Sequence, residues 1–475
     1  MDLLRISFAL GLPWLLGTFV VHRIVPAAMA GRRVLVLGYG FLVGVMLLTL
    51  LMRGLDAAGF GLHLIFLVPV VLLLIAIGVL LEYRYPRSFG GVWLSRDYRD
   101  LPLWQKLLIA VLLTILAIRL GGLWLEVYWR PLFPWDAYMH WATKSRVWTD
   151  AQAIVPFVDY DEWLALQGRG VFTDNHPGYP ITTPLLQTWM NLILGRWDDA
   201  VMNLPWVLVA AAGGMAFFGQ ARMAGIGPLA ALVFCYFLLS LPILNVQVAL
   251  AGYADVFMGI FYLAALMAFY HWSNTRLFWQ GLLALLLAAG CFLIKNEALY
   301  WILALLPGFA AVFLPPRRLI LLVGFGILLS AGVLLFFPRD LEVAGHTLAG
   351  LGLQFHSDAV LPLLQSLFWF SNWHLLFWMV GFMLLARVII GFLSGTRWPR
   401  PLLALCLILG SAFVLFLVLF LFTGYALTVV GQTSVSRISL QLAPSFVFLA
   451  MLLYQDLAKI PPVALPAQKR RTGLE

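Results

Sequence analysis

The sequence predicts an all-α polytopic membrane protein with about thirteen transmembrane helices and interfacial helices in a long outer loop. Three observations carry this. Of 475 residues, 63% are hydrophobic and only 11% charged, and mean hydropathy is +0.95, whereas a soluble domain carries about a quarter charged residues. Apolar runs of about 20 residues, enough to cross a bilayer, recur along the chain. The polar stretches between them alternate in character, short and basic against long and mixed.

In chain order, spans are predicted near 3–22, 33–52, 62–81, 104–126, 200–219, 228–246, 253–272, 277–294, 297–314, 318–337, 372–393, 401–424 and 437–457. The basic stretches include Arg23/Arg32/Arg33, the segment from Arg84 to Lys106, Arg317/Arg318 and the tail Lys469-Arg470-Arg471. The positive-inside rule puts these on the cytoplasmic face and the N-terminus outside. Net charge of +9 then reflects helix orientation beside anionic inner-leaflet lipid and does not call for nucleic acid. Residues 1–103 form three helices and a basic cytoplasmic linker, 104–458 the main transmembrane domain, and 459–475 a basic cytoplasmic tail. Gly38, Gly40 and Gly44 lie in the second span, where small residues serve close helix packing. Cys235, Cys291 and Cys406 all fall in apolar runs without ligand spacing and read as buried thiols.

Two outer segments, 127–199 and 338–371, are too long for simple connectors, and long loops tend to carry function. In FPWDAYMHWATKSRVW, residues 133–148, helical spacing puts Asp136, His140 and Lys144 on one face, and Trp141 and Trp148 on another. That arrangement suits an acceptor hydroxyl and a phosphate; the plainer alternative is an interfacial helix capped by Asp136 with its tryptophans in the aromatic belt. In FTDNHPGYPITTPLLQTW, residues 172–189, a turn carries Asp174, Asn175 and His176 to an apolar stretch, 181–194, that is too short to span and lies in the interface or re-enters. Asp136, His140, Asp174 and His176 are also types a divalent metal accepts, but no paired ligand spacing points to one. Asp255 in AGYADVF opens a span as an acid or a helix cap. Lys295 and Glu297 flank a tight outer turn, and Arg437 enters the last span; both cations suit an anion.

These segments together resemble the bacterial GT-C integral-membrane glycosyltransferases. WDAYMHWATKSRVW is similar to the motif of their first outer loop, HPGYPITTPLL to their YP-PLL segment, YADV to a mid-chain acidic motif, KNEAL to a KNE turn and SRISLQLAP to a C-terminal arginine motif. The group includes the rhizobial lipopolysaccharide galacturonosyltransferases and, more distantly, the protein O-mannosyltransferases and the lipid A aminoarabinose transferase. The resemblance implies a GT-C-like fold and inverting transfer of a sugar from a polyprenyl-phosphate donor to a hydroxyl of a glycan, lipid or protein acceptor. The reaction would take place on the periplasmic side of a bacterial inner membrane. It further implies Asp136 as general base, Lys295, Arg437 and Lys144 on the donor phosphate, and His140, Asp174, His176, Tyr179, Asp255 and Glu297 positioning substrate. No cofactor is implied, although a divalent metal remains open. The chain departs from the family in its three extra N-terminal spans and in Ala137, which stands where several relatives carry a second acid. The competing readings are a flippase for a lipid-linked glycan and an O-antigen ligase or polymerase. Charges gathered on one face, with no repeated halves, disfavour the flippase.

Overall fold

The structure is a computed structural model that describes residues 2–27, 29–86, 96–336 and 353–460, with 342–343, 346–347 and 350 between them. The expected tail from 461 on, residues 87–95 of the basic linker and much of the 338–371 loop lie outside the described residues. Of the described residues, 78% are helical. The described strands are two-residue pairs: β1 (Phe157–Val158) is parallel to β2 (Phe172–Thr173), and β3 (Glu342–Val343) is antiparallel to β4 (His346–Thr347).

The helices run α1 Asp2–Ile24, α2 Arg32–Ala57, α3 Leu64–Arg84, α4 Arg96–Arg99 and α5 Leu103–Trp129. Within the 127–199 segment come α6 Thr143–Ala151, α7 Tyr160–Ala165 and α8 Thr182–Leu194. Next are α9 Pro205–Met223, α10 Pro228–Ser240, α11 Pro242–Ala249, α12 Asp255–Thr275, α13 Phe278–Ile294, α14 Ala298–Leu303, α15 Leu305–Phe313 and α16 Pro316–Phe336. The series ends with α17 Val360–Leu364, α18 Leu376–Ser394, α19 Arg400–Phe422, α20 Ala426–Val430 and α21 Val435–Lys459.

Among the described residues, nine helices are long and apolar enough to cross a membrane, or ten if a bent pair counts as one. The chain is therefore an all-α multi-pass membrane protein. Three of the expected spans depart from a single long helix for local reasons. The span expected at 228–246 is broken by 56° between α10 and α11, because Leu241 precedes Pro242 and is pushed to φ −53°, ψ 123°. Those expected at 277–294 and 297–314 are a 17-residue helix and two short helices meeting at Ala304; 17 residues rise only about 25 Å. Helix α16 runs over 318–336 of the span expected at 318–337 and is not one of the nine counted.

Helices α12 and α21 are the most enclosed, whereas α3 and α5 turn rows of exposed Leu, Ile and Val outward, the faces expected to meet lipid. The glycines expected at helix contacts are found there. A Cβ on Gly44 would lie 1.8 Å from Pro13 O of α1, and one on Gly38 2.4 Å from Ala216 N of α9. The first two helices are thus joined to the body. They also hold the outer loop: Trp189 Nε1 donates to Ala9 O at 2.8 Å, Arg5 donates to Leu194 O, and Ile154 N donates to Asp56 Oδ1 at 2.9 Å. The stretch at 181–194, expected in the interface or re-entrant, is enclosed by other helices. It folds as α8, buried along nearly its whole length against α1, α2 and α6, because Thr182, Gln187, Thr188 and Asn191 interleave its apolar residues and find buried surroundings. Of the cysteines, Cys235 and Cys291 are buried and Cys406 half-buried, all free.

Candidate functional site

Two charge clusters, both built from the predicted motifs, lie side by side. The first motif does not make the regular α-helix that the spacing predicts. Residues Ala137–Ala142 form a π-helical turn that passes directly into α6. Its wider winding, common at functional sites, separates the three residues expected on one face. His140 and Lys144 turn together towards Asp174, while Asp136 turns to the far end of the chain and binds Arg437. Asp136 makes no side-chain cap hydrogen bond, so the capping alternative does not hold. Nor do Trp141 and Trp148 sit in a surface belt: both are buried, and Trp148 Nε1 donates to Val155 O at 2.8 Å.

The first cluster is a chain of alternating charges. Arg437 Nη1 donates to Asp136 Oδ2 at 2.6 Å and its Nε to Asp255 Oδ2 at 3.2 Å. Asp255 Oδ1 accepts from Lys295 Nζ at 2.6 Å and from Gln441 Nε2 at 2.7 Å. Lys295 reaches Glu297 Oε1 at 2.9 Å. Asp255, 0% exposed, is no helix cap; it is the buried centre of the cluster. Two glycines permit this assembly. Gly259, one turn beyond Asp255, brings α12 against α21 so closely that a Cβ would lie 2.7 Å from Leu440 O. Gly252 has φ +115°, and a Cβ there would lie 2.6 Å from Ala137 Cβ; any other residue would drive the 250–254 turn away from Asp136. That turn also supplies Tyr253, whose ring lies 3.9 Å from the Arg437 guanidinium carbon, a cation–π contact.

The second cluster centres on Asp174, whose Oδ1 lies 2.5 Å from His140 Nδ1 and accepts from His176 N at 3.1 Å. Lys144 donates to Asp174 Oδ2 and, at 3.0 Å, to His176 O. Lys144 is fully buried and engaged by these two acceptors, so it ties the 172–176 turn to α6. Trp141, Tyr179 and His176 form a stack, with centroids 5.1 Å apart at 19° and then 4.6 Å apart at 8°. Tyr179 stands between the clusters. Burial pushes its hydroxyl up to about 12, with Glu297 adding, Lys295 opposing and Asp136 adding.

Electrostatics favour the charged forms of Lys295 and Asp174. Burial opposes the Lys295 ammonium, but Asp255 and Glu297 outweigh it and hold the group above the ordinary lysine range. Burial also opposes ionisation of Asp174, yet hydrogen bonds from Lys144 and the His176 backbone hold its carboxyl below the usual range. His176 is lowered by burial and then by His140 beside it. Around this pair the solvent-facing groups are few: Asp136 keeps 33% side-chain exposure, and neither its Oδ1 nor Arg437 Nη2 bonds a described residue. Among the described residues, no three His, Cys, Asp or Glu side chains are arranged to hold a metal.

All ten predicted site residues therefore fall in these two clusters. Sequence reading missed Gln441, Tyr253 and Trp301, whose Nε1 donates to Gln441 Oε1 at 2.6 Å. Gln441 carried a signal, because it lies four residues beyond Arg437 on one helical face. No protein-family model, no curated protein and no solved structure matches the chain.

Proposed function

We propose that the chain is a glycosyltransferase that moves a sugar from a polyprenyl-phosphate donor to a hydroxyl of a cell-envelope acceptor, by a GT-C-type reaction on the outer face of a bacterial inner membrane. One observation carries the reading: Asp136, Arg437, Asp255, Lys295 and Glu297, separated by up to 301 positions, join in one chain of contacts. Within that chain Asp136 Oδ1 and Arg437 Nη2 have no partner among the described residues.

In the proposed step the acceptor hydroxyl oxygen attacks the anomeric carbon and its proton passes to Asp136 Oδ1. The bond from the anomeric carbon to the phosphate oxygen breaks, and the phosphate leaves with the electron pair, so the configuration inverts. Arg437 fixes the Asp136 carboxylate through Oδ2, which pre-orients the base. Arg437 Nη2 and the one remaining Lys295 N–H face the departing phosphate oxygens; a guanidinium has five donors and an ammonium three, so each can serve its two carboxylates and a phosphate at once. Buried Asp255 holds the two cations apart and in place. The loop cluster of His140, Lys144, Asp174, His176 and Tyr179 positions Asp136 from the other side and presents a ring face to a sugar.

The test is transfer by the purified, lipid-reconstituted protein from a panel of radiolabelled polyprenyl-phosphate sugars. Asp136→Asn should lose about 100-fold or more of the rate. Full activity in that variant would remove the catalytic assignment.

A further inference from the structure

The cations of both clusters are matched by carboxylates; Arg53, near the outer end of α2, is not. Its Nη2 donates to Thr182 Oγ1 at 3.0 Å, and no carboxylate of a described residue pairs with it. The acid one turn on, Asp56, receives the Ile154 N–H. Thr182 is the first residue of α8, a 13-residue helix whose cap position, Ile181, makes no side-chain cap hydrogen bond; Pro184 has no N–H and Leu185 N bonds Ile181 O, which leaves the N–H groups of Thr182 and Thr183. A partly buried guanidinium therefore abuts the positive end of a helix dipole. Two positive groups in contact without an acid are unfavourable, and a helix N-terminus with an arginine is a phosphate-binding combination. A further, independent feature points the same way. The Arg53 Nε and the Thr183 hydroxyl, on a residue 0% exposed, are both buried with no hydrogen-bond partner among the described residues. Groups left so are costly unless an acceptor meets them.

We propose that Arg53 and the side chains and N–H groups of Thr182 and Thr183 bind a phosphate group. The site differs from the one assigned to the donor, since Arg53 belongs to the N-terminal helices and none of its contacts reaches the Arg437–Lys295 chain. It gives those helices a ligand-binding role. The phosphate can come from a phospholipid headgroup of the surrounding leaflet or from a soluble phosphorylated ligand, and both present the same oxygens to the fork of an arginine.

The experiment uses the full-length protein and no sugar donor, so failure of glycosyl transfer leaves it unaffected. Thermal unfolding is followed in detergent against inorganic phosphate, with chloride holding ionic strength constant. In parallel it is followed in phosphatidylcholine nanodiscs with and without phosphatidylglycerol. Wild type should be stabilised in at least one arm, and which arm responds names the source. Arg53→Gln should need about tenfold more of that ligand for the same shift, and Arg53→Lys, which keeps charge but loses the fork, should fall between; it also serves if Arg53→Gln folds poorly. Arg146→Gln, at an exposed pair with Asp150, should titrate as wild type. No stabilisation of wild type in either arm, or equal titration of Arg53→Gln and wild type, overturns the site.

Discussion

Asp255 is where a single substitution reports most on the cluster. Its carboxylate is fully buried and accepts three hydrogen bonds, from Lys295, Gln441 and Arg437. Asp255→Asn keeps the shape, removes the charge and turns one oxygen into a donor facing a cation. Lys295 would then rely on partly exposed Glu297 and Arg437 on partly exposed Asp136. Breaking a buried ion pair from one side costs about 3–5 kcal/mol. At about 2 °C per kcal/mol for a large chain, that lowers the unfolding midpoint by roughly 6–10 °C. Lys295→Met should cost less, since Asp255 retains Arg437 and Gln441. The double variant removes both members of the pair, so its loss should fall short of the summed single losses by about 1–3 kcal/mol. Unfolding of all four proteins in one detergent measures this. Losses that add within about 0.5 kcal/mol would mean that Asp255 and Lys295 are not coupled, and the account of the cluster would be wrong.

Three other predictions follow from the same geometry. His176 has a lowered folded pKa, so the stability it governs is present above the ordinary histidine value of about 6.5 and lost as pH falls through it; His176→Asn should flatten that limb of a midpoint-against-pH curve. The depressed carboxyl of Asp174 likewise contributes stability present above the ordinary aspartate value of about 3.9 and lost as pH falls below it, an acid limb that Asp174→Asn should abolish. Gly44→Leu should force α1 from α2 and lower the midpoint by an amount equivalent to about 1–3 kcal/mol, as overpacking does, whereas Gly54→Leu, where a Cβ meets nothing, should leave it unchanged.

The legible part of the fold was whatever composition and charge alternation govern. Helical class and the membrane character follow from the apolar runs, and the close-packed glycines of α2 from their spacing. Span count was less legible, because Pro242 breaks one run and Ala304 divides another, and hydropathy averages over both. For the site, residue types in order sufficed to select the members of the clusters. Partners were hidden: Asp136 with Arg437, and Asp174 with Lys144, are tertiary pairings that no local spacing encodes. The π turn at 137–142 was hidden too, since it reflects the demand of Asp174 for His140 and Lys144 together while Asp136 is drawn to α21. Arg53 left no trace in the sequence because its significance lies in what fails to pair with it.

The bonds from α1 to the outer loop set an order of events during synthesis. Trp189 and Ala9 lie 180 positions apart, so at about 5–20 residues per second the first helix waits roughly 10–40 s for its partner to emerge. Its glycine seam with α2 gives it a resting place in the meantime. The hairpin of the first two helices can therefore pair before the partly polar segment it contacts in the finished fold has been made.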